Sequence, residues 1–257
     1  MSKKTLVPNW PPAHLLASGS QRKFRKVVGI DLHQTILDFS GPFSAFMAQL
    51  YAGSSMNSTT TRTYHPAGDP DSKIGYTEFE RALSKFVQLS NGGYGSLTAL
   101  PGAIEGLKRL RAAGIEIQIM TYVPGASDLQ ATDQLPFNTG IARATTKELL
   151  KKLGFPVEDK DIVFIAPHKK AWHMLDQGNK IPLLIEDNRT TASDVADKGL
   201  AAILVPTSYN QCSGIPGVLR VAEQAKPELV WKEVADHIIS FFETLAANGQ
   251  LVSTGGK

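Results

Sequence analysis

Polar side chains able to do chemistry recur where the apolar runs of this sequence stop. Val27, Val28, Gly29 and Ile30 lead to Asp31, with His33 and Thr35 just beyond. IEIQIM leads to Thr121, PLLI to Glu186 and Asp187, and IVFIAPH to Lys169 and Lys170. Carboxylates, a hydroxyl and a lysine are what phosphate-ester cleavage needs: a nucleophile, charge neutralisation and donors to the phosphoryl oxygens. In that reading Asp31 attacks phosphorus and forms an aspartyl-phosphate. Asp31 and Asp187 share Mg2+, a hard cation that takes carboxylates, water and phosphate oxygens. Thr121 donates to a phosphoryl oxygen, and Lys169 or Lys170 supplies a point charge. Glu186 stands beside the ion as a further acidic group that orients the lysine or a water.

Each of these residues also has a plainer use. Asp31 suits a strand end that caps the next element, and Thr121 suits a strand cap. Glu186-Asp187 suits a turn before Asn188. At least one of the adjacent lysines is expected in solvent, and the sequence does not say which. His65, His168 and His173 lack zinc-site spacing and read as surface or packing residues. The single cysteine, Cys212, excludes an internal disulfide framework and a multi-cysteine zinc site. An incidental thiol is its plainer reading.

For these groups to meet, the runs that precede them must be neighbouring parallel strands. The pattern supports that. Strands are expected over residues 27–30, 115–120, 161–166, 182–185 and 201–205. Between them, helical spacing covers residues 101–113, 141–153, 169–177 and 190–198, and a long helix follows at 227–246. Strands alternating with helices imply crossover connections and an α/β fold with a doubly wound parallel sheet. All strand ends then face one edge, where open α/β folds bind ligands. Gly41-Pro42 reads as a turn, followed by helical spacing over 43–51 and again over 77–89. The Ser-, Thr-, Gly- and Pro-rich segment 53–71 offers no convincing core strand.

Bulk properties narrow the function classes. The chain has 257 residues, 42% hydrophobic and 20% charged, enough for one large core. Its net charge of +3 is too weak to argue for stable nucleic-acid binding. The cluster Arg22, Lys23, Arg25 and Lys26 reads as solvation ahead of the first strand. No apolar run reaches the roughly 18 residues that span a bilayer. The N-terminal stretch lacks a signal-type apolar core, so a cytoplasmic protein is expected. The oligomeric state is left open, a homodimer included.

The four motifs in order carry a resemblance. Asp31-Leu32-His33-Gln34-Thr35 resembles the first motif of the haloacid dehalogenase superfamily, DxDxT. Thr121 resembles its second motif, Lys169 or Lys170 its third, and Glu186-Asp187 its acidic fourth. LPGAIEGLKRLRAAGIEIQIMT and LLIEDN, followed later by SYN, are similar to its 5′-nucleotidase, deoxyribonucleotidase-like branch. The resemblance implies a Rossmann-like core over residues 24–40 and 99–250 and a small, mainly helical cap inserted at 41–98; residues 1–23 ahead of them read as a flexible N-terminal lead-in. It implies Mg2+ held by Asp31, Asp187 and the backbone carbonyl of His33. It also implies a phosphomonoester substrate, with a nucleoside monophosphate favoured. Thr35, Tyr64 and Tyr76 are the candidates for substrate contact. Phe39, Phe43 and Phe79 suit base stacking or cap packing, and Arg62 and Lys73 suit a sugar or phosphate contact or plain solvation.

His33 breaks the pattern, because the family's second aspartate protonates the leaving group and then activates water. That help is worth about 10²–10⁴ in rate. An imidazole can do both jobs near neutral pH. Three outcomes follow: a working phosphohydrolase with His33 as acid and base, a phosphotransferase whose aspartyl-phosphate persists, or a silent nucleotide- or phosphate-binding protein. A dehalogenase also uses an aspartate nucleophile, but it requires neither Asp187 nor Thr121.

Overall fold

The structure, a computed structural model, describes residues 10–16, 22–51, 75–89, 91–122, 139–176, 178–211 and 214–252. One helical turn, α1 (Ala13–Leu16), precedes the first strand, β1 (Val27–Ile30). β1 is buried at every position, as a continuous apolar run in a parallel sheet requires. The chain then turns through β2 (Leu37–Asp38) into two helices, α2 (Ser40–Leu50) and α3 (Tyr76–Gln88), and returns by β3 (Thr98–Ala99). Alternation follows: α4 (Ala103–Ala112), β4 (Glu116–Thr121), α5 (Thr139–Leu153), β5 (Ile162–Phe164), α6 (Lys170–Leu175) and β6 (Leu183–Glu186). The chain closes with α7 (Arg189–Asp197), β7 (Ala201–Leu204), β8 (Val218–Arg220) and α8 (Glu228–Ala247).

Six strands form one parallel sheet in the order β5-β4-β1-β6-β7-β8. β1 is central: Ile30 is level with Ile119 of β4 on one side and Ile185 of β6 on the other. The chain leaves β1 toward β4 and β5 and then reverses to β6, so the order switches beside β1. A doubly wound sheet opens a crevice at that point. Helices flank the sheet. α4 and α8 approach closely because Gly106 has no side chain; a Cβ there would lie 2.8 Å from Trp231 Cε3.

The described helices of the insertion, α2 and α3, make a helical cap. Its core is aromatic: Phe43 lies 5.4 Å from Phe79 and 5.2 Å from Phe86, and Phe39 stacks on Phe43 at 5.1 Å. Phe39, Phe43 and Phe79 therefore pack the cap. The antiparallel pair β2–β3 joins Leu37 to Ala99 and Asp38 to Thr98, so the insertion leaves and re-enters the core at one place. Gly41-Pro42 is not a turn. It lies in the first turn of α2, where proline's missing N–H costs nothing. Side chains satisfy that helix end: Gln34 Oε1 accepts from Phe39 N (2.8 Å) and Ser40 N (3.0 Å), and Asp38 Oδ1 accepts from Gly41 N (3.1 Å).

Two further features differ from the sequence expectation. β8 extends the sheet past the fifth expected core strand, with Val218 paired to Ala202. Its three residues are too few for periodicity to reveal. Part of the N-terminal lead-in is packed: Leu15 is buried, and Trp10 donates to Ala202 O at 3.2 Å while its ring lies 6.0 Å from Phe241. No helix among the described residues is long and apolar enough to cross a membrane.

Candidate active site

Asp31 follows the last residue of β1, and its N–H donates to Ile185 O at 2.9 Å. That bond continues the parallel ladder and fixes the carboxylate at the sheet's carboxyl edge. Glu186 ends the neighbouring strand β6, Asp187 comes next, and Thr121 ends β4 on the other side. α6 begins after a 3₁₀ turn at Pro167–Lys169. The change from 3₁₀ to α geometry separates the two lysines: Lys169 is exposed, whereas Lys170 is buried. Lys170 Nζ donates to Asp31 Oδ1 and, at 2.8 Å, to Glu186 Oε2.

Asp31, Glu186 and Asp187 are all buried, and one ligand atom from each lies within 4.8 Å of the others. Among the described residues the counter-charge is Lys170, bonded to Asp31 and Glu186, so the buried group carries two uncompensated negative charges when fully ionised. Burying unpaired charge is costly. A divalent cation would balance it, and carboxylate oxygens suit a hard ion such as Mg2+. The carboxylate set therefore fits the metal that the sequence resemblance implies. Glu186 is the most committed to the protein: besides Lys170 on Oε2, its Oε1 accepts from Asp187 N (3.3 Å) and Asn188 N (3.2 Å). Those bonds hold the lysine and shape the turn into α7, which Asn188 caps through Thr190 N at 2.8 Å.

The acid–base balance follows from this crowding. Burial raises Asp31 to about 7, against the pull of Lys170 and with Glu186 adding. Burial and the charges of Glu186 and Asp31 raise Asp187 well above the usual carboxylate range. Lys170 loses hydration, but Asp31 and Glu186 outweigh that loss and keep it firmly protonated. Without a cation, Asp31 and Asp187 thus hold their protons more tightly than ordinary carboxylates do.

Thr121 is fully buried and its Oγ1 has no hydrogen-bond partner among the described residues. A buried hydroxyl left unpaired calls for an explanation. Here it lies at the end of β4, one position beyond the residue level with Asp31 in the sheet register. Thr35 is also buried, in the turn after β1. Its carbonyl accepts from Trp231 Nε1 of α8 at 2.9 Å, which ties the turn to the core, and its own Oγ1 is unpartnered among the described residues.

His33 faces a different neighbourhood. Its Nε2 lies 2.7 Å from the hydroxyl of Tyr94, and its ring packs 4.9 Å from Phe39. Tyr94 belongs to the chain returning from the cap and is fully buried, and Thr146 Oγ1 of α5 lies 3.4 Å from its hydroxyl. Burial, with Lys170 adding, holds the imidazole down to about 3, so it is neutral. Burial keeps the Tyr94 phenol above its ordinary range, hence protonated. The His33 imidazole is not part of the carboxylate group. His173 packs elsewhere, with Nε2 2.7 Å from Gln118 Oε1, and His168 is exposed.

Among the substrate candidates, Tyr76 opens α3, whereas Tyr64, Arg62 and Lys73 lie outside the described residues, as does Cys212. Sequence reasoning missed Tyr94, Tyr209 and Asn210. Tyr209 donates its hydroxyl to Asp187 Oδ2, and Asn210 Nδ2 donates to Asp187 O at 2.8 Å. The SYN tripeptide that contains both was visible as a motif, but nothing in it pointed back to Asp187.

No protein-family model and no curated protein sequence matches the chain. Solved structures do. A candidate phosphoglycolate phosphatase from Lactobacillus delbrueckii subsp. bulgaricus is similar with a TM-score of 0.53 at 13% identity, over 84% of this chain and 98% of that one. The haloacid dehalogenase-like hydrolase SP0104 from Streptococcus pneumoniae is similar with a TM-score of 0.50 at 14% identity, over 82% and 98%. At such identities the likeness shows the fold: an α/β core with a helical cap, shared with haloacid dehalogenase-like hydrolases.

Proposed function

We propose that this protein is a Mg2+-dependent phosphomonoester hydrolase working through an aspartyl-phosphate. One observation carries the reading: three buried carboxylates lie together, two of them, Asp31 and Glu186, bonded to one ammonium, with a buried threonine hydroxyl unpartnered among the described residues at the switch point of the sheet. When fully ionised, such a site lacks two positive charges, and one hydroxyl lacks an acceptor. A phosphate ester bound with a divalent ion supplies both.

Asp31 and Asp187 would hold the ion, which when bound screens the repulsion between Asp31 and an anionic substrate. Asp31 attacks phosphorus as the ester oxygen leaves with the electron pair of the P–O bond. Thr121 Oγ1 donates to a phosphoryl oxygen, and Lys170 opposes the charge that develops there. Glu186 keeps Lys170 in place. The leaving oxygen takes a proton, and water then attacks the aspartyl-phosphate, returning Asp31 as a carboxylate and releasing inorganic phosphate. His33 is the sequence-based candidate for both proton transfers; held neutral, it is suited to take the proton of the attacking water, while the leaving oxygen takes its proton from solvent. Among phosphomonoesters, a nucleoside monophosphate is favoured by the sequence resemblance quoted above.

A second reading rests on the His33–Tyr94 bond. With Nε2 engaged by Tyr94, the imidazole is held on the cap's return segment, and the site then binds a nucleotide or phosphate without turnover. A panel of nucleoside and sugar monophosphates, with and without Mg2+, separates the two. Released phosphate that requires Mg2+ and disappears in Asp31→Asn supports the hydrolase. Binding without release from any ester supports the silent site. His33→Asp restores the more common motif and is expected to keep or raise phosphate release; complete loss would show that the imidazole has a task aspartate cannot perform.

A further inference from the structure

Beyond the carboxylates themselves, Asp187 is gripped from both ends by one short loop. Asn210 Nδ2 donates to the Asp187 carbonyl at 2.8 Å and to Val205 O at 2.7 Å, while Asn210 Oδ1 accepts from Thr207 N at 3.0 Å. Arg220 Nε of β8 donates to Asn210 O at 3.0 Å and lies 3.2 Å from Asn210 Oδ1. Asn210 itself is 1% exposed. These bonds make residues 205–210 a fixed platform on the end of β7, and Tyr209 stands on it with its hydroxyl on Asp187 Oδ2.

We infer that Tyr209 is a positioning residue that restrains Asp187 to one-oxygen ligation and so selects a small octahedral cation over a larger one. The inference rests on the metal-dependent reading above. A hydrogen bond to Oδ2 orients the carboxylate and leaves Oδ1 as the oxygen not engaged by that donor. Mg2+ demands near-octahedral geometry, keeps several waters and takes single oxygens from one or two carboxylates. Ca2+ accepts six to eight oxygens and readily takes both oxygens of one carboxylate. A donor fixed on Oδ2 therefore favours the first ion and obstructs the second. Partners of metal ligands typically change affinity by about 10–100-fold when removed.

The test is direct titration of the full chain with Mg2+ and with Ca2+, followed by calorimetry and checked by the rise in melting temperature, for wild type and Tyr209→Phe. Phenylalanine keeps the ring and removes only the donor. The expected result is a fall of about tenfold or more in the preference for Mg2+ over Ca2+, with the metal-free melting temperature close to that of wild type. An unchanged preference overturns the inference, even if both affinities fall together or the variant melts earlier, because either outcome marks a merely structural tyrosine. A wild type that binds neither ion overturns the metal-dependent function along with it. A wild type that binds Mg2+ while the variant keeps its preference overturns the role of Tyr209 alone.

Discussion

Lys170→Met removes the ammonium that pairs with the buried carboxylates while keeping an unbranched side chain. Lys170 Nζ bonds Asp31 Oδ1 and Glu186 Oε2, and the residue is 2% exposed. Its loss leaves three carboxylates facing one another without a bonded counter-charge. Deleting one partner of a buried ion pair costs about 3–5 kcal/mol. In a chain of this size each kcal/mol lowers Tm by about 2–4 °C, so the metal-free variant should melt about 6–20 °C below wild type. Further protonation of Asp31 and Asp187 offsets part of the cost and favours the lower end of that range. Mg2+ restores two positive charges, so the ion-induced rise in Tm should be larger in Lys170→Met than in wild type. Turnover should fall by about 10²–10³ even with the ion saturating, because a preorganised charge aimed at the phosphoryl group is gone. The assays are thermal unfolding followed by circular dichroism, with and without Mg2+, and phosphate release. A variant that melts within about 2 °C of wild type without metal and gains no more from Mg2+ would refute this account of the cluster's electrostatics.

Other expectations follow from the same site. Thr121→Val replaces an unpartnered buried hydroxyl with a methyl, so the protein should be as stable as wild type or more stable by about 1–3 kcal/mol, while phosphate binding weakens; destabilisation in denaturant melts would show that the hydroxyl has a partner in the resting protein. Asp31 and Asp187 are raised in the folded state, so the metal-free protein holds protons there that the unfolded chain releases, and their contribution to stability falls as pH rises above the usual carboxylate range, that of Asp31 being lost through about 7. His33 is lowered to about 3 and runs the other way, gaining stability as pH climbs toward its unfolded value of 6.5. Mg2+ binding requires the carboxylates ionised, so the increment in Tm between Mg2+-loaded and metal-free protein should grow from pH 5 to 7.5; a flat increment would mean the ion displaces no protons. Asp31→Asn should abolish phosphate release while leaving the fold intact by circular dichroism, and residual Mg2+-dependent turnover would remove Asp31 from the nucleophile's place.

Much of this architecture is readable in the chain because three central strands, β1, β4 and β6, announce themselves twice, by an apolar run and by the polar residue that stops it. Asp31, Thr121 and Glu186-Asp187 were found in that way, and the sheet brings their strands side by side. The choice between Lys169 and Lys170 was not readable, since it depends on where a 3₁₀ turn becomes an α-helix. Tyr94 was hidden in NGGYGS, where flanking glycines suggest a loop. Its burial comes from cap and core closing around it, a long-range event that periodicity does not record. Tyr209 and Asn210 depend on how the loop after β7 folds back over β6. β8 was missed because three residues on a sheet edge leave no pattern. The proline in α2 misled because Gly-Pro usually marks a turn, yet Gln34 and Asp38 supply the acceptors that let a helix begin there.

The central claim is that Asp31 and Asp187 grip a single divalent ion. Crystals grown with Mn2+ in place of Mg2+ test it directly through the anomalous signal of the metal. A single strong peak in coordination contact with a carboxylate oxygen of both residues, beside Lys170 and Thr121, is the predicted result. A protein saturated with Mn2+ that shows its peak elsewhere, or shows none between these two carboxylates, contradicts the account.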